Sequence, residues 1–178
     1  MKKTFDIMVA YCKTTRGIGM SSTLPCKPVK SAIKHFNDAT IKTISKDKQN
    51  CIIMGKNTWD TMDGKPKHDR FNIVISSDAS KNPIKGNIIT STTLHDALNV
   101  AFKNNDIENI YVIGGETIYK EAIKRNDLNA VIAAEIDREY ECDKFMPKLN
   151  DQFSESTRYK IDGDVEVVKF IKRTPVLV

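Results

Sequence analysis

Two stretches of the chain leave an apolar run, turn at glycine and end in charged or hydroxyl side chains. Ile53-Met54-Gly55-Lys56-Asn57-Thr58 places a lysine and a threonine at a helix start, and Ile113-Gly114-Gly115-Glu116-Thr117 repeats the arrangement with paired glycines. At such a strand-to-helix junction the first-turn N–H groups have no intrahelical acceptor, and the helix dipole is positive there. The chemistry on offer is anion binding, and glycine lets a phosphate approach closely. A lone glycine after a strand makes only a turn. Two such junctions, with Ser76-Ser77 closing a third apolar run, point to a dinucleotide or polyphosphate ligand. Neither Gly-x-Gly-x-x-Gly nor a Walker loop occurs, so a standard Rossmann or P-loop assignment fails.

Other reactive side chains offer less. His35, His68 and His95 stand in unrelated settings, none beside a Ser or Cys nucleophile motif, and are expected at the surface. Trp59, the only tryptophan, follows the Lys56–Thr58 turn and reads as a packing residue. Cys12, Cys26, Cys51 and Cys142 are spaced too widely for a zinc knuckle or a redox pair. They read as thiols of a reducing compartment, and no metal is expected.

Elements that would position these residues can be read from periodicity. Strand-like runs cover Phe5–Cys12, Asn50–Met54, Phe71–Ser76, Asn87–Thr90, Asn109–Ile113, Ala130–Ile136 and Val165–Ile171. Several are almost continuously apolar, as strands buried on both faces are. Between them lie helices. Thr93 with Asp96 gives an N-terminal cap signal, aspartate replacing the usual glutamate, ahead of Leu94, Ala97, Leu98, Ala101 and Phe102. Ser31 opens another, carrying Ile33, Phe36, Ile41 and Ile44, and a third after Gly115 carries Ile118, Tyr119, Ala122 and Ile123. Alternating strands and helices predict an α/β fold with a largely parallel sheet and ligands at the strand C-terminal ends. The last strand is expected to pair antiparallel at an edge.

The 178 residues suit one domain, placed at residues 1–173 with a short tail over 174–178. Apolar residues make up 40% and charged residues 29%, a globular balance. No apolar run approaches the roughly 20 residues that span a bilayer. Asp6 interrupts the basic opening, which lacks a small-residue cleavage site, so a cytoplasmic location is expected and no membrane contact. The net charge of +5 is spread along the chain, with short clusters such as Lys65–Arg70, and reads as a solvated lysine-rich surface.

Taken in order, Val9-Ala10, Gly17-Ile18-Gly19, Leu24-Pro25, Ile53–Trp59, Arg70–Ser77, Ile113–Tyr119 and Tyr140–Pro147 resemble dihydrofolate reductase over about residues 5–172. The resemblance implies that family's α/β fold, a mostly parallel eight-stranded sheet flanked by helices with an antiparallel C-terminal edge strand. It also implies an NADPH site. Ala10, Ile18 and Gly19 would line the nicotinamide, Lys56 and Thr58 would meet phosphates, and Ser76 and Ser77 would hold the adenosine 2′-phosphate. Gly114, Gly115, Glu116, Thr117 and Ile118 would cradle the pyrophosphate. On the substrate side, Val9, Leu24, Phe36, Met62 and Ile113 would form apolar walls, Arg70 would take the folate α-carboxylate as a bidentate fork, and Tyr119 would lie near the hydride path.

Three departures fall in the chemical centre. The family's carboxylate, four residues before Phe36, is Ala32; its threonine partner, two residues before Ile136, is Ala134; the tryptophan after Leu-Pro is Cys26. No catalytic group is intact at those positions. Asp38 is an acid nearby, but two residues beyond Phe36 it points elsewhere on the helix. The family activity, NADPH-dependent reduction of 7,8-dihydrofolate to tetrahydrofolate in one-carbon metabolism, is therefore expected to be weak or lost. The alternative is a non-catalytic reductase-fold protein, a monomer by default, reused as a component of a protein or RNA-containing assembly. A third reading is a reductase acting on another pteridine or pyrimidine.

Overall fold

The computed structural model describes residues 3–20, 29–78 and 88–173. β1 (Phe5–Cys12) runs through the middle of an eight-stranded sheet. On one side lie β6 (Ile107–Val112), β3 (Gln49–Gly55), β4 (Arg70–Ile75) and β5 (Ile88–Ser91), each parallel to its neighbour. On the other, β7 (Leu128–Ile136) pairs parallel with β1, and β10 (Val165–Lys172) and β9 (Phe153–Asp162) follow antiparallel. A two-stranded ribbon joins β2 (Gly17–Gly19) to β8 (Lys144–Phe145). Helices α1 (Lys30–Ile41), α2 (Lys56–Thr61), α3 (Leu94–Lys103) and α4 (Glu116–Ala122) complete the fold. Among the described residues no helix is long and apolar enough to cross a membrane.

The apolar runs behave as central parallel strands should. In β3, Ile53 enters the main core with Ile7, Ile73, Leu94 and Leu98, while Ile52 and Met54 face the opposite side with Val74, Trp59 and Met62. Alternation of side chains across a strand makes both faces apolar. α3 forms where Thr93 caps it: the hydroxyl accepts from the Asp96 N–H and donates to the Asp96 carboxylate.

The expected antiparallel C-terminal strand arrives as half of a hairpin, with β9 outside it at the sheet edge. β9 has no apolar run because most of its residues are exposed, and charge pairs hold it instead. Arg158 reaches Glu135, Glu155 and Glu166 at 2.7, 3.0 and 2.9 Å. The α1 stripe also differs from a core face. Ile33 and Ile41 stay about two-fifths exposed along a cleft, and Ile44 lies past the helix end, almost wholly exposed.

Candidate active site

The C-terminal ends of β1, β3, β4, β6 and β7 open onto a single cleft of about 1510 Å³. Because β3 and β6 are parallel neighbours, the two glycine junctions lie side by side. The Gly55 N–H donates to the Gly114 carbonyl at 2.8 Å, and the Ile113 N–H to Ile53 at 2.9 Å. The Gly114–Gly115 peptide is cis, and Gly114 has φ +119°, a conformation that L side chains rarely adopt. A Cβ on Gly115 would stand 3.5 Å from Thr58 Oγ1. Neither α2 nor α4 has a side-chain cap, and their first-turn residues, Lys56, Thr58, Glu116, Thr117 and Ile118, line the cleft. Lys56 pairs with Asp60, and Glu116 with Lys120. Ser76 and Ser77 reach the same cleft from the end of β4, and Ala10, Ile18 and Gly19 from β1 and β2.

Tyr119 is buried beneath this junction. Its hydroxyl donates to the Met8 carbonyl at 2.9 Å, and its ring packs against Gly114. Burial pushes the phenol far above its ordinary titration range. Tyr119 therefore holds β1 against the second junction.

The other half of the cleft is built around Arg70. The residue is 4% exposed. Nε donates to the His68 carbonyl at 3.0 Å, and Nη1 to Thr40 Oγ1 at 2.7 Å and Asn37 Oδ1 at 3.3 Å. Among the described residues no carboxylate lies within ion-pair distance of it. Burial lowers its pKa, the neighbouring Asp69 carboxylate opposing, yet arginine stays charged. A buried guanidinium that lines a cleft is chemically suited to meet an anion. Val9, Phe36, Met62 and Ile113 line the walls nearby. Leu24 and Cys26 fall outside the described residues.

Sequence reasoning missed the supports of Arg70. Thr40 is fully buried and donates to the Phe36 carbonyl while accepting from Arg70. Asn50, also fully buried, donates to the Thr40 and Lys42 carbonyls and accepts from the Asn109 backbone, bolting the end of α1 to the sheet. A threonine in a helix and an asparagine in a strand carry no motif; only the fold brings them to the arginine.

Two of the three expected departures, Ala32 and Ala134, line the inner end of the cleft. Ala32 and Ala134 belong to one apolar cluster with Val29, Ile136 and Val165, flanked by Tyr140 and Ile161. Neighbouring acids turn away. Glu135, next along β7, projects to the opposite face, accepting from Tyr11 and Arg158. Asp38 is exposed and paired with Lys34. His35 lines the cleft, but its Nε2 is engaged with the Tyr159 hydroxyl at 3.1 Å.

Two cysteines read as isolated prove to be neighbours. The Cys142 thiol hydrogen-bonds Cys12, and a Cβ on Gly17 would stand 2.3 Å from Cys142 Sγ. Their separation of 130 residues hid this contact, which the β2–β8 ribbon creates. Cys12, Cys51 and Cys142 form no disulfide. Among the described residues no group of His, Cys, Asp and Glu could hold a metal ion.

Comparison with known proteins agrees with this geometry. The family model for dihydrofolate reductase matches residues 5–172. The chain is 31% identical to a dihydrofolate reductase of Drosophila melanogaster, over 85% of this chain and 83% of that protein. It is 32% identical to that of Aedes albopictus (92% and 88%) and 32% to that of Bos taurus (84% and 82%). A sheet of this order, with glycine junctions on β3 and β6 and an arginine at the start of β4, defines a reductase-type α/β domain. The chain belongs to the dihydrofolate reductase family, whose members use NADPH.

Proposed function

We propose that the chain binds NADPH and a carboxylate-bearing pteridine such as dihydrofolate, and that its turnover of dihydrofolate is weak because the proton relay is missing. The observation that carries this reading is the contrast within one cleft. The uncapped helix starts and Arg70 remain equipped for anions, while Ala32 and Ala134 belong to one cluster of buried apolar side chains.

The residues present fit the cofactor. Lys56, Thr58, Thr117 and the first-turn N–H groups of α2 and α4 would hold its phosphates, and Ser76 and Ser77 its 2′-phosphate. Ala10, Ile18 and Gly19 would flank its ring. When bound, NADPH supplies the hydride. The chain's own residues orient the partner molecule: Arg70 fixes the carboxylate by its planar fork, and Val9, Phe36, Met62 and Ile113 exclude water from the ring. Hydride acceptance by dihydrofolate also needs a proton at ring N5, and a positioned group contributes about 10²–10⁴-fold to such a transfer. Among the described residues, the buried cluster of Val29, Ala32, Ala134, Ile136 and Val165 carries no side chain that can accept and pass on that proton, and in this reading solvent supplies it.

NADPH oxidation by the purified protein with dihydrofolate, followed from mildly acidic to neutral pH, tests this. Slow turnover that climbs as pH falls is the expected result. Fast turnover indifferent to pH would mean that another group supplies the proton. Absence of NADPH binding would leave the fold without the reaction, and the search would move to macromolecular partners.

A further inference from the structure

The contact between Cys12 and Cys142 joins two parts of the fold that are each fixed by their own backbone. Cys12 closes β1, lies opposite Ile136 of β7, and its carbonyl accepts from the Arg16 N–H at 2.7 Å. Cys142 stands just before β8, where the Asp143 N–H donates to the Gly19 carbonyl at 2.9 Å and the Met146 N–H to the Arg16 carbonyl at 2.8 Å. Gly17 makes the room: the space its missing Cβ would take lies 2.3 Å from Cys142 Sγ. Sulfurs in hydrogen-bond contact have only a short way to move to the S–S bond length of about 2.05 Å. Their exposure differs. Cys12 is buried, with 1% of its surface exposed, whereas Cys142 is half-buried. A reagent from solvent therefore meets Cys142 first, and Cys12 waits behind it.

We infer that Cys12 and Cys142 are a thiol–disulfide exchange site: a low-molecular-weight disulfide oxidises them to an internal S–S bond that ties the end of β1 to the β2–β8 ribbon. In the first step the Cys142 thiolate attacks one sulfur of the small disulfide R–S–S–R. That S–S bond breaks, a Cys142–S–S–R bond forms, and the departing thiolate takes up the proton Cys142 gave up. In the second step the Cys12 sulfur attacks Cys142 Sγ, and the other R–S group leaves with the Cys12 proton. The chain has lost two hydrogens, and one small disulfide has become two small thiols. Exchange of this kind suits a chain of a reducing compartment, where disulfides are transient rather than structural. The new bond closes a loop across residues 12–142. It also fixes the ribbon whose Gly17, Ile18 and Gly19 line the cleft beside Cys12. The site stands on the thiols alone and goes beyond the proposed reduction.

Treating the folded, reduced protein with glutathione disulfide at about pH 8.5, where thiols begin to ionise, tests it. Intact mass should fall by two hydrogens, and peptide mapping should join the Cys12 and Cys142 peptides. The melting temperature should rise by roughly 5–15 °C and return to its starting value when the bond is reduced. Cys12→Ala should stop at a stable glutathione adduct on Cys142, and Cys142→Ser should form no internal bond. Cys26→Ser should still form it, which shows that the third thiol is not the partner. A glutathione adduct on Cys142 that persists in the unmodified protein would overturn the inference. So would a linkage through Cys26, or a Cys142 that does not react in the folded state. None of these outcomes bears on NADPH or dihydrofolate binding, so the proposed reduction stands or falls separately.

Discussion

Ala32 on α1 and Ala134 on β7 pack into the same apolar cluster, so two positions 102 residues apart have become one surface. A carboxylate kept at residue 32 opposite an alanine would have been buried without its hydroxyl partner. A threonine kept at 134 would have left an orphaned hydroxyl, and an unmet buried group costs about 1–3 kcal/mol. With both replaced, neither penalty arises. Alanine at both positions leaves neither a buried carboxylate nor a buried hydroxyl to be satisfied there.

Restoring both groups should restore chemistry. Ala32→Asp with Ala134→Thr is expected to raise dihydrofolate turnover at neutral pH by roughly 10²-fold. The carboxyl would sit among apolar neighbours, which raises its pKa above the unfolded value of about 3.9. The variant's stability should then fall as pH rises through that raised pKa. Steady-state rates with parallel thermal melts check both statements. Unchanged turnover in a variant that still binds dihydrofolate would show that the defect lies elsewhere.

Arg70 and Thr40 should behave as anchor and support. Arg70→Lys keeps the charge but loses the fork, and carboxylate ligands should bind at least tenfold more weakly. Thr40→Val keeps the shape but removes the acceptor at 2.7 Å, and should destabilise the fold by about 1–3 kcal/mol besides weakening the ligand. Calorimetric binding and urea unfolding separate the two effects. Full stability in Thr40→Val would contradict the support role.

Gly17 is committed to having no side chain. The Cβ of Gly17→Ala would stand 2.3 Å from Cys142 Sγ and 2.6 Å from its Cβ. Overpacking of this kind costs about 1–3 kcal/mol. Adding Cys142→Gly should recover much of that loss, Cys142→Ala less, since its Cβ remains. Unfolding free energies of the single and double variants provide the coupling, and simple additivity would refute it.

His35 should make stability depend on pH. Burial lowers its pKa, with Asp38 opposing, so the folded protein binds fewer protons than the unfolded chain below about pH 6.5. Its neutral form is favoured by folding. The contribution is complete above that pH and shrinks as pH falls towards the depressed pKa. His35→Gln, which can keep a bond to Tyr159, should lose less stability than the parent between about pH 7.5 and pH 5.5. Parallel melting curves for the two proteins would refute the assignment.

Much of the architecture was legible because burial leaves a mark. β3, β4 and β7 are apolar on both faces, and the Thr93 cap announces α3. The two glycine junctions were visible as motifs, although only the adjacency of β3 and β6 joins them at one cleft. β9 was illegible because an exposed edge strand held by ion pairs has no apolar signature. Thr40, Asn50 and the Cys12–Cys142 contact were illegible for another reason. Each depends on residues distant in sequence, and none belongs to a local pattern. The apolar stripe of α1 was visible, and Ile33, Phe36 and Ile41 line the cleft.

The Asn50 side chain fastens α1 near Thr40 and Lys42, at the opposite end of the helix from Ala32. Anchorage and chemistry are thus divided between the two halves of one helix. Substitutions in the first half need not loosen the hold of the second half on the sheet. The hold on the sheet and the lining of the inner cleft are written into different turns of the same helix.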